Sequence, residues 1–207
     1  EVLRKFSERL TYLRSLDERK ADVSRLIEEQ GKLTQEITEA LGKAETLTEV
    51  EDIYRPYKPK KRTRATIAKA KGLEPLANLI LEGAFKGDVL QEASKYIDEE
   101  KGVEKAEDAV SGALDIIAEG ISEEAKYRKF IRELVMREGL IESKGSSEET
   151  TPYEMYYDYS EEVRKIPPHR ILAINRGEKE KILSVKITIG EDKIISYLER
   201  EILKGNG

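Results

Sequence analysis

Cysteine is absent from this chain, which excludes disulfides, thiolate metal sites and cysteine nucleophiles. Tryptophan is absent too, and phenylalanine occurs only three times, so a core must be built mainly of Leu, Ile, Val and Ala. There is a single histidine, His169, with no second His or Cys to complete a zinc site. No apolar run approaches the ~20 residues that span a bilayer. The chain opens without the basic-then-apolar pattern of a signal peptide. It starts at Glu1 without Met and already inside a helical pattern, and is expected to be a piece of a longer, cytoplasmic protein.

Several kinds of chemistry lack their sequence marks. No Gly-rich phosphate loop of the Walker or Rossmann kind occurs. No Gly-x-Ser-x-Gly elbow supports a serine triad. Acidic residues are plentiful, but no pair stands at a recognisable metal-binding spacing. The expectation is therefore no enzyme, no cofactor, no metal and no small-molecule substrate.

What the chain has in quantity is charge. Of 207 residues, 38% are charged and 38% apolar, with a net charge of -5. Such a balance suits helices with long charged outer faces. Against this acidic background stands one basic island. Between Ile53 and Leu73 there are eight Lys or Arg and no acid, which leaves -13 on the rest of the chain. Tyr54, Tyr57, Pro56 and Pro59 lie within it. Cations can meet phosphates and flat rings can stack on bases, so the island is a candidate nucleic-acid contact. Its candidate residues are Arg55, Lys58, Lys60, Lys61, Arg62 and Arg64. The competing readings are a solvated linker, or a basic strip docked on acids of the same protein. Pro56-Tyr-Lys-Pro59 also has the spacing of a polyproline ligand, which arises often by chance.

Periodicity predicts a mainly α protein: a multi-helix array with helix-turn-helix-like elements and at most one or two short strands. Val2, Leu3, Phe6, Leu10, Leu13, Leu16, Val23, Leu26 and Ile27 give one long helix, or two joined near Asp17. Thr48 with Glu51 reads as a capping box for a short helix ending before Pro56. The prolines should hold Arg55 and Lys58 extended. Thr63 should cap a helix ending at Gly72, and Glu74 to Glu82 forms the next, with Pro75 early and Gly83 after its end. Leu90 to Ile97 is a modest helix.

Val103 to Glu119, a turn at Gly120 and Ser122 to Glu138 have helix-turn-helix lengths. The first of these carries Glu104, Glu107, Asp108, Asp115 and Glu119 against Lys105 alone. Antiparallel packing suits it better than groove reading. Lys144 to Thr151 reads as a loop and as the internal boundary, dividing residues 1–145 from 151–207. A Tyr-rich helix from Pro152 through Val163 should follow, its Tyr153, Tyr156, Tyr157 and Tyr159 packing against neighbours. Beyond Pro167-Pro168 come a short helix to Gly177, a strand within Lys181 to Ile189 and a last helix from Lys193.

Tyr54-Arg-Pro-Tyr-Lys-Pro-Lys-Lys-Arg-Thr-Arg-Ala-Thr-Ile-Ala68 and Lys71-Gly-Leu-Glu-Pro-Leu-Ala77 resemble the Tex family of bacterial transcription accessory proteins. Glu8-Arg-Leu-Thr-Tyr-Leu-Arg14 and His169-Arg-Ile-Leu-Ala-Ile-Asn-Arg-Gly-Glu-Lys-Glu180 agree, in the family's order. The resemblance implies a segment of the helical N-terminal region of a longer protein. That protein would also carry RNase H-like, helix-hairpin-helix and RNA-binding OB-fold domains, none of which is found here. RNA or DNA, and possible contacts with the transcription machinery, are the partners implied for the full-length protein. The helical segment would serve as scaffold, with auxiliary phosphate contacts from the island. The alternative is a purely structural or protein-interaction module that positions the other domains.

Overall fold

Leu16, Val23 and Ile27 recur at helical spacing, and α1 runs unbroken from Val2 to Glu28, with these three buried. The first half of its apolar stripe stays open, with Leu3 84% and Phe6 66% exposed. The computed structural model describes residues 1–207 except 60–61, 84–86, 147–149 and 204–207. These described residues divide into two units, Glu1–Arg128 together with the residues from Ile202 on, and Lys129–Glu201.

In the first unit, Thr34 caps α2 (Gln35–Lys43), its hydroxyl accepting from Ile37 N–H. A capping box opens α3 (Leu47–Tyr54), but it is formed by Thr46 and Glu49, not by Thr48 and Glu51. Thr46 has the extended backbone that a cap requires, while Thr48 already lies inside the helix. The two-residue displacement frees Glu51 for other partners. Leu16, Val23, Ile27, Leu41, Ala44, Val50 and Tyr54 bury together as one core. Full burial of each Leu, Ile or Val side chain contributes about 1.5–3 kcal/mol.

A second core belongs to the same unit. Thr63 caps α4 (Arg64–Ala70) and Gly72 follows it with φ +83°, both as expected. α5 (Glu74–Glu82) has Pro75 in its first turn and ends at Gly83 in the left-handed conformation. The expected Leu90–Ile97 helix is shorter: α6 covers Val89–Ala93 and a 3-10 turn, Ser94–Tyr96, continues it. Val103 is not helical. It pairs with Asp98 in an isolated bridge around the 3-10 turn Glu99–Lys101. α7 begins at Ala106 and runs to Glu123. Gly120 does not end it, because a glycine in an exposed turn lowers helix propensity without forbidding the helix. Ser122 is no cap either, since its hydroxyl donates back to the Glu119 carbonyl. The break is at Glu124, where ψ is 116°. Ala65, Ala68, Leu73, Leu76, Ala77, Val103, Ala109, Ala113 and Ile116 fill this core. Gly112 permits the approach of α4 to α7: a Cβ there would collide with Leu73 Cδ1 and sit 3.3 Å from Ala68 Cβ.

The division between units falls within α8 (Ala125–Glu138). In the second unit the expected Tyr-rich helix does not form. A 3-10 turn, Glu154–Tyr156, leads into a strand. Strands β1 (Leu140–Gly145), β2 (Asp158–Glu162) and β3 (Leu183–Thr188) make an antiparallel sheet in the order β2-β1-β3. The mainly α class holds, with three strands where one or two were expected. Lys144 and Gly145 belong to β1, so the expected loop starts later. β1 supplies ladders on both sides, pairing Ser143 with Tyr159 and with Val185. Cross-strand pairing overrides the local three- and four-residue spacing of the tyrosines. Buried Ser143 donates its hydroxyl to the Tyr156 carbonyl at 2.6 Å.

α9 (Pro168–Lys179) passes through Gly177, whose added Cβ would lie 2.7 Å from Leu183 Cδ1. α10 (Glu191–Leu203) follows β3. Tyr153 and Tyr156 are buried with Ile141, Ile166, Ile174 and Leu183, and Tyr157 and Tyr159 pack against them. The tyrosines therefore pack as expected, although not on a helix. Among the described residues no helix is long and apolar enough to cross a membrane.

Candidate nucleic-acid interface

The basic island leaves α3 through a 3-10 turn, Arg55–Tyr57, and reaches α4 at Arg64. Arg55 is not extended: with φ -52° and ψ -44° it continues the helical path, and its carbonyl accepts from Lys58 N–H. Pro56 disfavours that conformation locally. Tyr54 and Tyr57, held in the core on either side, set the path instead. Lys58 is extended, as expected, with ψ 140°.

The two aromatic rings are structural. Tyr54 is 7% exposed, with Arg19 and Lys58 each 5.5 Å from its ring centroid. Tyr57 is half-buried against the same core, and its carbonyl accepts from Gln30 Nε2 at 2.9 Å. Stacking of Tyr54 on a base is therefore precluded by its burial.

The cations differ from one another. Lys58 pairs with Glu51, which also accepts from Arg19 Nε at 2.7 Å. The hydrogen bond from Arg19, then the one from Lys58, hold the Glu51 carboxyl below its usual range, while its partial burial opposes them. Glu51 in turn raises the Arg19 guanidinium. Arg64 Nε lies 3.4 Å from Asp115 Oδ1, but its side chain is 85% exposed, so that pair is worth little. Arg55 and Arg62 are exposed and, among the described residues, make no ion pair. Lys60 and Lys61 lie outside the described residues.

Two contacts anchor the ends of the island. Thr63 Oγ1, while capping α4, donates to Glu119 Oε1 on α7 at 2.8 Å. Asp52, 5% exposed, accepts from Arg128 Nε at 2.7 Å. Neither partner was legible, because Glu119 and Arg128 lie 56 and 76 residues away in the chain. Lys71 and Lys101 also face the island's end, lining a groove with Arg62. Lys71 belongs to the basic run but was not among the candidate residues, and Lys101 had no signal in the sequence.

His169 is exposed at the start of α9. Among the described residues no group of three or more His, Asp or Glu is placed to hold a metal ion.

A family model described as Tex central region-like matches residues 86–204. The chain is 48% identical over 202 residues to the YdcI protein of Bacillus subtilis (strain 168), covering 96% of this chain and 28% of that protein. It is 39% identical over 193 residues to the Transcriptional accessory protein Tex of Neisseria gonorrhoeae, covering 92% of this chain and 25% of that one. To the S1 RNA-binding domain-containing protein 1 of Pongo abelii it is 31% identical over 201 residues, covering 92% of this chain and 20% of that one. The chain thus spans about a quarter of the length of these curated relatives. The family match over residues 86–204, with these relatives aligned along nearly the whole chain, makes it a member of the Tex family.

Proposed function

We propose that this chain is the helical scaffold of a nucleic-acid-binding transcription accessory protein and adds auxiliary phosphate contacts through its basic island. The role is binding and positioning rather than catalysis, and a cytoplasmic setting fits a chain without cysteine. The observation that carries this reading is the exposure of Arg55 and Arg62 without a carboxylate partner among the described residues. An exposed guanidinium with its donors free can take a phosphate oxygen bidentately. The names of two relatives, a transcriptional accessory protein and an S1 RNA-binding domain-containing protein, point the same way for the longer protein.

A second reading has its own support. Lys58 is engaged by Glu51, Arg64 lies beside Asp115, Tyr54 is in the core and Tyr57 packs against it. On that reading the island is a connection between helices, and the chain positions other domains or meets a protein of the transcription machinery. Titration with single- and double-stranded RNA and DNA at several salt concentrations separates the two. Phosphate contact predicts affinity that falls with salt, by a slope of roughly 0.7–0.9 per neutralised phosphate. Arg55→Glu with Arg62→Glu should weaken it. Absent binding, or binding unchanged by the double reversal, rejects the phosphate reading and leaves the structural one.

A further inference from the structure

Just beyond α4, Lys71 stands beside a groove of about 420 Å³ lined by Arg62, Thr66, Ile67, Ala70, Lys71 and Lys101. Three of these six are cations and none is acidic. Their states differ. Lys101 Nζ is paired with Asp98 Oδ2 at 2.7 Å, so its charge is largely answered. Lys71 Nζ donates instead to the Gly102 carbonyl at 2.6 Å. That acceptor is neutral. It pins the ammonium beside the groove without cancelling its charge, and leaves further N–H donors for a ligand. Gly102 sits at φ +72°, a conformation suited to glycine, at the close of the Glu99–Lys101 turn. Arg62 adds a guanidinium with no ion pair among the described residues. Ile67 and Ala70 give the groove an apolar part of its lining. Glu99 and Glu100, on the nearby turn, are exposed to solvent and do not line it.

Two positive groups flanking an apolar strip match a nucleotide's chemistry: an anionic phosphodiester beside an uncharged sugar and base. The volume is on the scale of one nucleotide. We propose that Arg62 and Lys71 hold a backbone phosphate of single-stranded nucleic acid in this groove, with its sugar or base over Ile67 and Ala70. The site rests on the nucleic-acid reading above and extends it past the island. It makes Lys71 a binding residue and Gly102 the group that positions it.

The test uses this chain, with fluorescence anisotropy of labelled oligouridylate, oligothymidylate and a DNA duplex of matching length, each at several salt concentrations. Lys71→Ala should weaken both single strands about five- to tenfold and reduce their salt slope by roughly 0.7. Lys71→Arg should keep most of the affinity, and the duplex should change less than about twofold. A loss with only one single strand assigns the site to RNA or to DNA. If the chain binds and Arg55→Glu weakens it while Lys71→Ala does not, the groove is wrong and the island reading survives. If Lys71→Ala weakens it and Arg55→Glu does not, the groove stands and the island falls. An equal loss with the duplex overturns the single-strand assignment, and no binding at all removes both. Should Lys71→Ala unfold the chain, amide shifts of Lys71 and Gly102 in the unmodified protein on adding oligouridylate or oligothymidylate decide the matter. Their absence at saturation overturns the site.

Discussion

Asp52 keeps its carboxylate almost wholly out of water and accepts from Arg128 Nε at 2.7 Å. The two residues are 76 positions apart. This ion pair ties the helix before the island to the start of α8 in the first unit. Removing the guanidinium leaves a buried carboxylate short of a main partner, which is the costly way to break such a pair. Arg128→Ala should cost about 2–3 kcal/mol of stability, less than a fully buried pair because the arginine is partly solvated. Adding Asp52→Asn to it should recover part of that loss. Chemical denaturation of the single and double variants measures the coupling. Additive losses would show that the pair does not act as a unit.

Acid should weaken the same region through Glu51. Its folded-state pKa is depressed, chiefly by the hydrogen bond from Arg19, so its contribution is present above the unfolded value near 4.5. It is lost as pH falls through the lower folded value. The melting temperature of the unmodified chain should therefore drop faster below about pH 5 than that of Glu51→Gln, and the two curves should converge in acid. Glu51 is a third exposed, so the difference is modest and should shrink as salt is added. Parallel curves from neutral to acid pH would remove Glu51 from the account.

Two glycines of α7 should respond in opposite directions. Gly112 faces Leu73 and Ala68 at the contact with α4, with no room for a side chain. Gly112→Val should destabilise by about 2–3 kcal/mol through overpacking. Gly120 has open space around its α-carbon, so Gly120→Ala should stabilise by about 0.5–1 kcal/mol through helix propensity. Thermal melts of the two variants check both signs.

Tyr54→Ala tests whether the island's aromatic ring belongs to the core or to a ligand. Removing a buried ring should cost about 3–5 kcal/mol. At a temperature where the variant stays folded, affinity for single strands should change little. A stable variant with lost affinity would restore the stacking role.

How much of this was legible depended on how local the cause was. Thr63 as a cap, Pro75 at the start of α5 and Gly83 after its end are decided within one helical turn, and all three stand where their residues indicated. The Thr46 box was missed because two threonine–glutamate pairs at the same spacing compete, and burial of Val50 and Tyr54 chooses between them. The tyrosines at 153–159 have helical spacing, but β1 offers a ladder that no local pattern encodes. At the candidate site the basic residues were visible as a run. Which of them are engaged was not, since Asp115 and Gly102 arrive from other elements.

The open stripe on α1 has a kinetic consequence. Val2, Leu3 and Phe6 are largely solvated, while Val23 and Ile27 are sealed in the core. One continuous helix therefore contains two grades of protection against solvent. Backbone amides near Phe6 are held by helical hydrogen bonding with little burial behind it, so they should exchange with deuterium by fraying, long before the rest unfolds. Amides around Val23 should exchange only with the opening of the whole core. The transition between fast and slow exchange should fall near Tyr12 to Leu16, where the helix first meets its partners.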